Sequence, residues 1–263
     1  MKRYLAFTKG MFMAFIVYRF GLFFTLAGNL LYIVLVRFLW GKIYAGSETI
    51  RGLTFDQAFV YLALASSIFV LFKTWTDWFI LHKIQDGDII VDLIRPLDFQ
   101  LPMMLTSAGF ALSNLQAITV PSAIVVFLVF GAELNVGAGL FFFPLAMLQA
   151  FLVNFNLDYM VGLTAFYTES LWGISMTKEI IVSALSGALV PLQFFPPAAL
   201  KVLQLLPFQA VYHIPLTLLT SGDLDARMCV QMLGVQAIWV VVLFGLSRLF
   251  YSRAVRVLTV AGG

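Results

Sequence analysis

Of the chain's 263 residues, 62% are hydrophobic and only 11% are charged, and the mean hydropathy is +0.97. Soluble domains carry charge on about a quarter of their residues, so this composition excludes an ordinary water-soluble fold and calls for lipid as solvent. The net charge of +3 gathers into no basic tract of the kind that binds nucleic acid, and the single cysteine, Cys229, excludes an intrachain disulfide or a cysteine-based metal site.

Residues 2–19 set Lys2, Arg3, Lys9 and Arg19 among Tyr4, Phe7, Phe12 and Phe15, a basic, aromatic helix suited to the membrane interface. Its Met-Lys-Arg start resembles a secretory leader, but Tyr18, Arg19 and Phe20 lead into another apolar stretch with no small-residue cleavage site. A first span is expected over 21–40, interrupted only by Arg37, whose long side chain can reach the head groups, with Trp40 and Tyr44 as interfacial anchors. After a short polar loop over 41–52, a second apolar stretch runs from about Leu53 to Phe72. It continues through Lys73, Trp75, Asp77, Trp78 and Ile80 as one helix that emerges beyond the bilayer. Lys73 and Asp77, four apart, then share a helix face and are close enough to neutralise one another. They form either an ion pair at the membrane edge or a brace for the segment that follows.

That segment, 82–100, is the most polar part of the chain and must lie in water or against a partner. Gly87 permits a sharp change of direction, Asp88 can cap a short helix and Arg95-Pro96 ends it, which predicts a brief amphipathic helix over 89–94. Ordinary connecting loops carry such caps and stops too.

Residues 103–130 make a third span with a kink at Pro121, followed by a tight turn over 131–139 around Glu133 and Asn135. The fourth span, from 140 to about 168, carries Asn154, Asn156 and Asp158 near its middle. Polar groups at that depth face other helices or a water-filled path. A short loop over 169–179 precedes a fifth apolar segment, 180–195, cut short by Pro191, Pro196 and Pro197. From 198 to 219, Lys201, Pro207, His213 and Pro215 interrupt the pattern in the manner of re-entrant or surface-lying helices, and 229–251 form the last span.

The expectation is an all-α polytopic membrane protein, a single domain over 1–263, with about six spans. Lys2, Arg3, Lys9, Arg19, Lys83, Arg95, Lys178, Arg248, Arg253 and Arg256 fall on one side, against Arg37, Lys42, Arg51, Lys201 and Arg227 on the other. The excess places both termini in the cytoplasm. No phosphate-cradling glycine loop, His-Glu-x-x-His or Gly-x-Ser-x-Gly string occurs, and His82 and His213 stand apart. No catalytic residue or metal ligand is assigned.

The string Gly87-Asp88-Ile89-x-x-Asp92-Leu93-Ile94-x-Pro96-Leu97 resembles the cytoplasmic coupling segment of ABC type-2 transporter permeases. A second string, Ser186-Gly187-Ala188-Leu189-Val190-Pro191-Leu192-x-Phe194-Phe195-Pro196 with Leu205-Leu206-Pro207-Phe208 after it, looks like that family's break after the fifth span. Together with the order of spans, the two strings cover nearly the whole chain, and the length is similar to the compact bacterial branch, which often works as pairs of related chains.

The resemblance implies an exporter permease of the bacterial inner membrane, moving substrate outward beside a second permease chain, identical or related, in contact with membrane lipid. It places ATP and Mg in a separate cytoplasmic ABC ATPase, with no cofactor in this chain. It implies Gly87, Asp88, Ile89, Leu93, Ile94, Pro96 and Leu97 as ATPase-coupling residues, and Gly187, Pro191, Phe195, Pro196 and Pro207 as an outer, re-entrant gate. Asn154, Asn156 and Asp158 either line the path or bond between helices. Two rival classes remain. An ion-coupled secondary transporter would use Asp77, Asp158 or Glu169 as a proton or sodium site. A membrane-bound enzyme would need a converging constellation that two isolated histidines and one cysteine do not supply.

Overall fold

The computed structural model describes residues 7–13, 19–94, 98–131 and 137–257. They are overwhelmingly helical, and five helical stretches are long and apolar enough to cross a membrane: Phe20–Ile43, Phe55–Gln85, Gln100–Val129, Gly139–Phe166 and Ala226–Val257. Of the basic interfacial segment, residues 7–13 are helical, and Thr8 donates its hydroxyl to Leu105 O (2.9 Å). The turn around Glu133 and Asn135 lies outside the described residues.

Helix α1 (Arg19–Ile43) turns Phe20, Phe23, Phe24 and Phe38 outward and buries Ile33, Val36 and Trp40. Such an apolar outer face suits hydrocarbon, not water. Strands β1 (Thr49–Ile50) and β2 (Leu53–Thr54) pair antiparallel about Arg51 and Gly52, at φ 52° and 82°, the type I′ turn whose twist fits a hairpin. Thr54 then caps α2 (Phe55–Phe72): its hydroxyl accepts from Gln57 N while Gln57 Oε1 accepts from Thr54 N, so two end donors are satisfied reciprocally.

Arg37 sits among aromatic rings. Its guanidinium lies 5.1 Å from the ring centroids of Phe59 and Phe130 and 5.7 Å from that of Phe55. Three aromatic faces supply cation–π attraction to this cation. Trp40 and Tyr44 are buried in the bundle, with the Trp40 ring centroid 5.2 Å from that of Phe194.

The second apolar stretch is not one continuous helix. α2 stops at Phe72, α3 (Thr76–Gln85) begins four residues later, and Trp75 between them sits at φ 55°. At the break, side-chain amides from other spans add to the backbone bonds that Val70 O and Phe72 O accept from Lys73 N and Thr74 N. Asn114 Nδ2 donates to Val70 O (2.9 Å) and Asn154 Nδ2 to Phe72 O (3.3 Å). Consequently Lys73 and Asp77 do not share a helix face, and each has another partner.

Helix α4 (Ile89–Ile94) has the bounds the sequence predicts. In α5 (Gln100–Val129) the expected kink at Pro121 takes the form of two π-helical segments, Leu115–Thr119 and Val125–Val129. Widened turns take up the missing proline donor. α6 (Gly139–Leu163) and α10 (Ala226–Ala254) pack side by side at the centre.

α7 (Trp172–Leu185) starts earlier than the expected 180 because Lys178 and Glu179, which read as loop, are paired inside the protein. With 14 residues it extends about 21 Å at 1.5 Å per residue, short of a hydrocarbon core of about 30 Å. The chain then folds back through a 3₁₀ turn at Leu192–Phe194, α8 (Pro197–Leu203), a second at Pro207–Ala210, and α9 (His213–Thr220). Buried Ile214, Leu216 and Leu218 seat α9 on the bundle.

Candidate functional site

Everything around α4 is built to hold a short helix in a fixed pose. Gly87, at φ 78°, closes α3 in the left-handed conformation that favours glycine, and its carbonyl accepts from Ile90 N (3.2 Å). Asp88 O accepts from Val91 N (3.1 Å) as the next turn starts. Ile89 is fully buried in a cluster with Ile80, Phe99, Met103, Phe155, Tyr159 and Leu163, whereas Ile90 and Val91 are exposed. Lys83 reaches back from α3 to Asp92 at 2.5 Å. On the other flank Asp98 accepts from Gln100 N (2.8 Å) and Leu101 N (3.3 Å) and pairs with Arg248 of α10. Ile89 is thus the anchor of α4 and Ile90 and Val91 are its free surface. Pro96 and Leu97 lie outside the described residues, as do the side chains of Leu93 and Ile94.

Just inside this end, Gln100 Nε2 donates to Asn156 Oδ1 (2.9 Å) and Ser247 Oγ (2.8 Å), and Ser247 Oγ donates to Asn156 Oδ1 (2.9 Å). Asn156 therefore ties α5, α6 and α10 together. Nothing in the sequence joined these three residues, because they come from three different spans.

Asn154 and Asp158, on another face of α6, line a cavity of about 30 Å³ at the α2–α3 break, together with Lys73, Trp75, Asp77, Lys178, Glu179 and Tyr212. That volume holds about two waters. Asp158 accepts from Asn154 Nδ2 (3.0 Å) and pairs with Lys178 at 2.6 Å. Asp77 accepts from Ser175 Oγ (2.5 Å) and from Trp78 N (2.9 Å). Lys73 pairs with Glu179, its ammonium 4.7 Å from the Trp75 ring centroid. Three carboxylates and two ammonium groups thus converge where α2, α3, α6 and α7 meet. Ser175, Lys178 and Glu179 were not singled out from the sequence, although their spacing from one another and from Val182 marks a single helix face.

At the opposite end, Gly187 (φ 88°) and Pro191 are buried. A Cβ at Gly187 would lie 2.7 Å from Tyr61 Oη and 3.2 Å from Leu192 Cγ. Phe195 is half-buried, Pro196 is exposed at the start of α8, and Pro207, half-buried, opens the second 3₁₀ turn. His213 N donates to Ser186 O (3.1 Å), and Gln236 Nε2 of α10 donates to Ala210 O (2.8 Å) and Ala146 O (3.2 Å), so the fold-back is fastened to the bundle. Gly187→Ala is expected to cost about 1–3 kcal/mol through this crowding, read as a lower unfolding temperature in detergent.

Among the described residues no group of three or more His, Cys, Asp or Glu side chains could hold a metal ion. Five long apolar helical stretches, a braced short helix and a proline-broken fold-back define an all-α polytopic membrane protein. A family model described as ABC-2 family transporter protein matches residues 30–262, and the chain belongs to that family. Members are transmembrane subunits whose ABC ATPase is a separate partner chain. No curated protein matches the sequence.

Proposed function

We propose that the chain is the permease subunit of an ATP-driven exporter of the bacterial inner membrane. In this reading residues 86–99 and both termini face the cytoplasm, in accord with the distribution of basic residues. Two permease chains, identical or related, stand side by side in lipid, and α4 of each seats on an ATPase subunit that binds ATP and Mg. Closure of the ATPases pushes α4, the spans rock, and substrate passes outward, with the fold-back containing Gly187, Pro191, Phe195, Pro196 and Pro207 as the outer gate. A differential of a few kcal/mol between two packings is enough to change access.

The observation that carries this reading is α4. A helix of six residues does not persist alone, yet this one is anchored by Ile89 and flanked by Lys83–Asp92 and Asp98–Arg248 so that Ile90 and Val91 project free. Paired aliphatic side chains on a polar, braced segment fit a hydrophobic socket in a partner. Replacing Ile90 and Val91 together with Asp is expected to reduce co-purification of the ABC ATPase at least about tenfold, the loss typical of an interface hot spot, with membrane insertion unchanged. The same outcome is expected of Leu93→Asp with Ile94→Asp. Full ATPase recovery with both double variants would contradict the assignment.

A further inference from the structure

α7 is held to the bundle in an unusual way. Its outward side chains Trp172, Ile174, Ile180 and Ile181 are exposed, and its buried residues are Ser175 and Val182. Ser175, Lys178, Glu179 and Val182 make one helix face, and three of those four residues are polar, each tied to a different place. Ser175 bonds Asp77 at the start of α3, Glu179 pairs with Lys73 in the α2–α3 break, and Lys178 pairs with Asp158 of α6. Apolar interdigitation resists sliding, because every displaced contact opens a void. Hydrogen bonds and ion pairs can instead be exchanged for water. The cavity beside them has room for about two waters, and Tyr212, 3% exposed, lies on its lining.

We propose that Asp77, Lys178 and Glu179, with Ser175, Asp158 and Lys73, form a latch that holds α7 in this state and releases when α3 moves. α7 and the fold-back it carries are then the moving part of the transport cycle. The inference rests on the reading of the chain as an ATP-coupled permease.

Release follows from how α3, the break and α7 are connected. α3 leads through Asp86-Gly87-Asp88 into α4, so a push on α4 acts through the ten-residue α3 on Asp77 near its other end. The break at residues 73–75 separates α3 from α2, and the carbonyls of Val70, Phe72 and Lys73 on its α2 side accept from the Asn114 and Asn154 side chains. Rotation of α3 about that break strains two of the three ties at once, through Asp77 and Lys73. Once Glu179 leaves, the Lys73 ammonium still has the faces of Trp75 (4.7 Å) and Phe69 (5.7 Å), which lowers the cost of the released state. At the far end of α7, Ser186 O holds His213 N, and the adjacent Tyr212 lines the latch cavity, so displacement of α7 reaches the fold-back directly.

The test uses the complex of the permease with its ATPase, reconstituted in lipid, with Mg·ATP as probe. In Asp77→Cys/Ser175→Cys, oxidation joins α3 to α7; the native Cys229 is buried and takes no part. The expected result is full retention of the ATPase subunit with ATP hydrolysis reduced at least about tenfold on oxidation, a coupling of ordinary size, and restored by reductant. Each single-cysteine variant should be indifferent to oxidant. Quantitative cross-linking with unchanged hydrolysis would overturn the latch while leaving the permease reading intact; a parent chain that retains no ATPase would overturn that reading instead. Should the double-cysteine variant fail to assemble, Lys73→Glu and Glu179→Lys decide the matter. Each alone is expected to raise hydrolysis several-fold by releasing α7 early, and the two combined to restore the parental rate. Parental rates in both single variants would equally overturn the latch.

Discussion

Lys178→Met should destabilise the protein by about 3–5 kcal/mol, because it leaves Asp158 buried and without its cation. The Asp158 side chain is 5% exposed, and its remaining side-chain partner is Asn154. Removing both charges, as Asp158→Asn with Lys178→Met, should recover most of that loss, since a buried ion pair is often no more stabilising than a well-packed neutral replacement. Thermal unfolding of the parent, the single and the double variant in one detergent measures the cycle. A single variant as stable as the parent would mean that Asp158 is solvated or paired elsewhere.

The second large effect is expected at Gly139, where α6 begins against α9. A Cβ there would sit 2.0 Å from Leu218 O and 2.9 Å from Leu218 C. No side-chain rotation relieves a clash with backbone, so α9 must move away from the bundle. Gly139→Val should cost about 3 kcal/mol or more, at the upper end of overpacking penalties, and should expose buried Cys229, which packs in a cluster with Ile214 and Leu218 of α9. The rate of maleimide labelling of Cys229 reads that displacement directly; labelling as slow as in the parent would show that α9 stays seated.

Much of the fold was legible from local signals. Hydropathy located the five long apolar stretches, and Gly87 and Asp88 at the start with Arg95-Pro96 at the end gave the bounds of α4, although ordinary loops carry the same signals. The proline cluster at 191–197 marked the fold-back. What escaped was what depends on tertiary partners. Arg37 and Lys178 read as membrane-edge or loop charges, since a sequence does not show a three-ring cage or an aspartate on another span. The break at 73–75 was invisible because nothing in Lys73-Thr74-Trp75 is a helix breaker; asparagines at 114 and 154 stabilise it from two other spans. Of the polar residues of the fourth span, Asn154 and Asp158 line the charged cavity while Asn156 faces Gln100 and Ser247. Two residues on either side of Asn156 therefore have a different role from it, as helical periodicity requires of positions two apart.

The central claim is that α4 is the docking element for an ABC ATPase, and site-specific photocross-linking tests it most directly. A photoreactive side chain at position 90 or 91 of the assembled complex should yield an adduct that mass spectrometry identifies as the ABC ATPase, and the same group at Ile43, at the opposite end of the bundle, should not. An intact complex that gives no ATPase adduct from 90 or 91, or gives one from 43, would contradict the account.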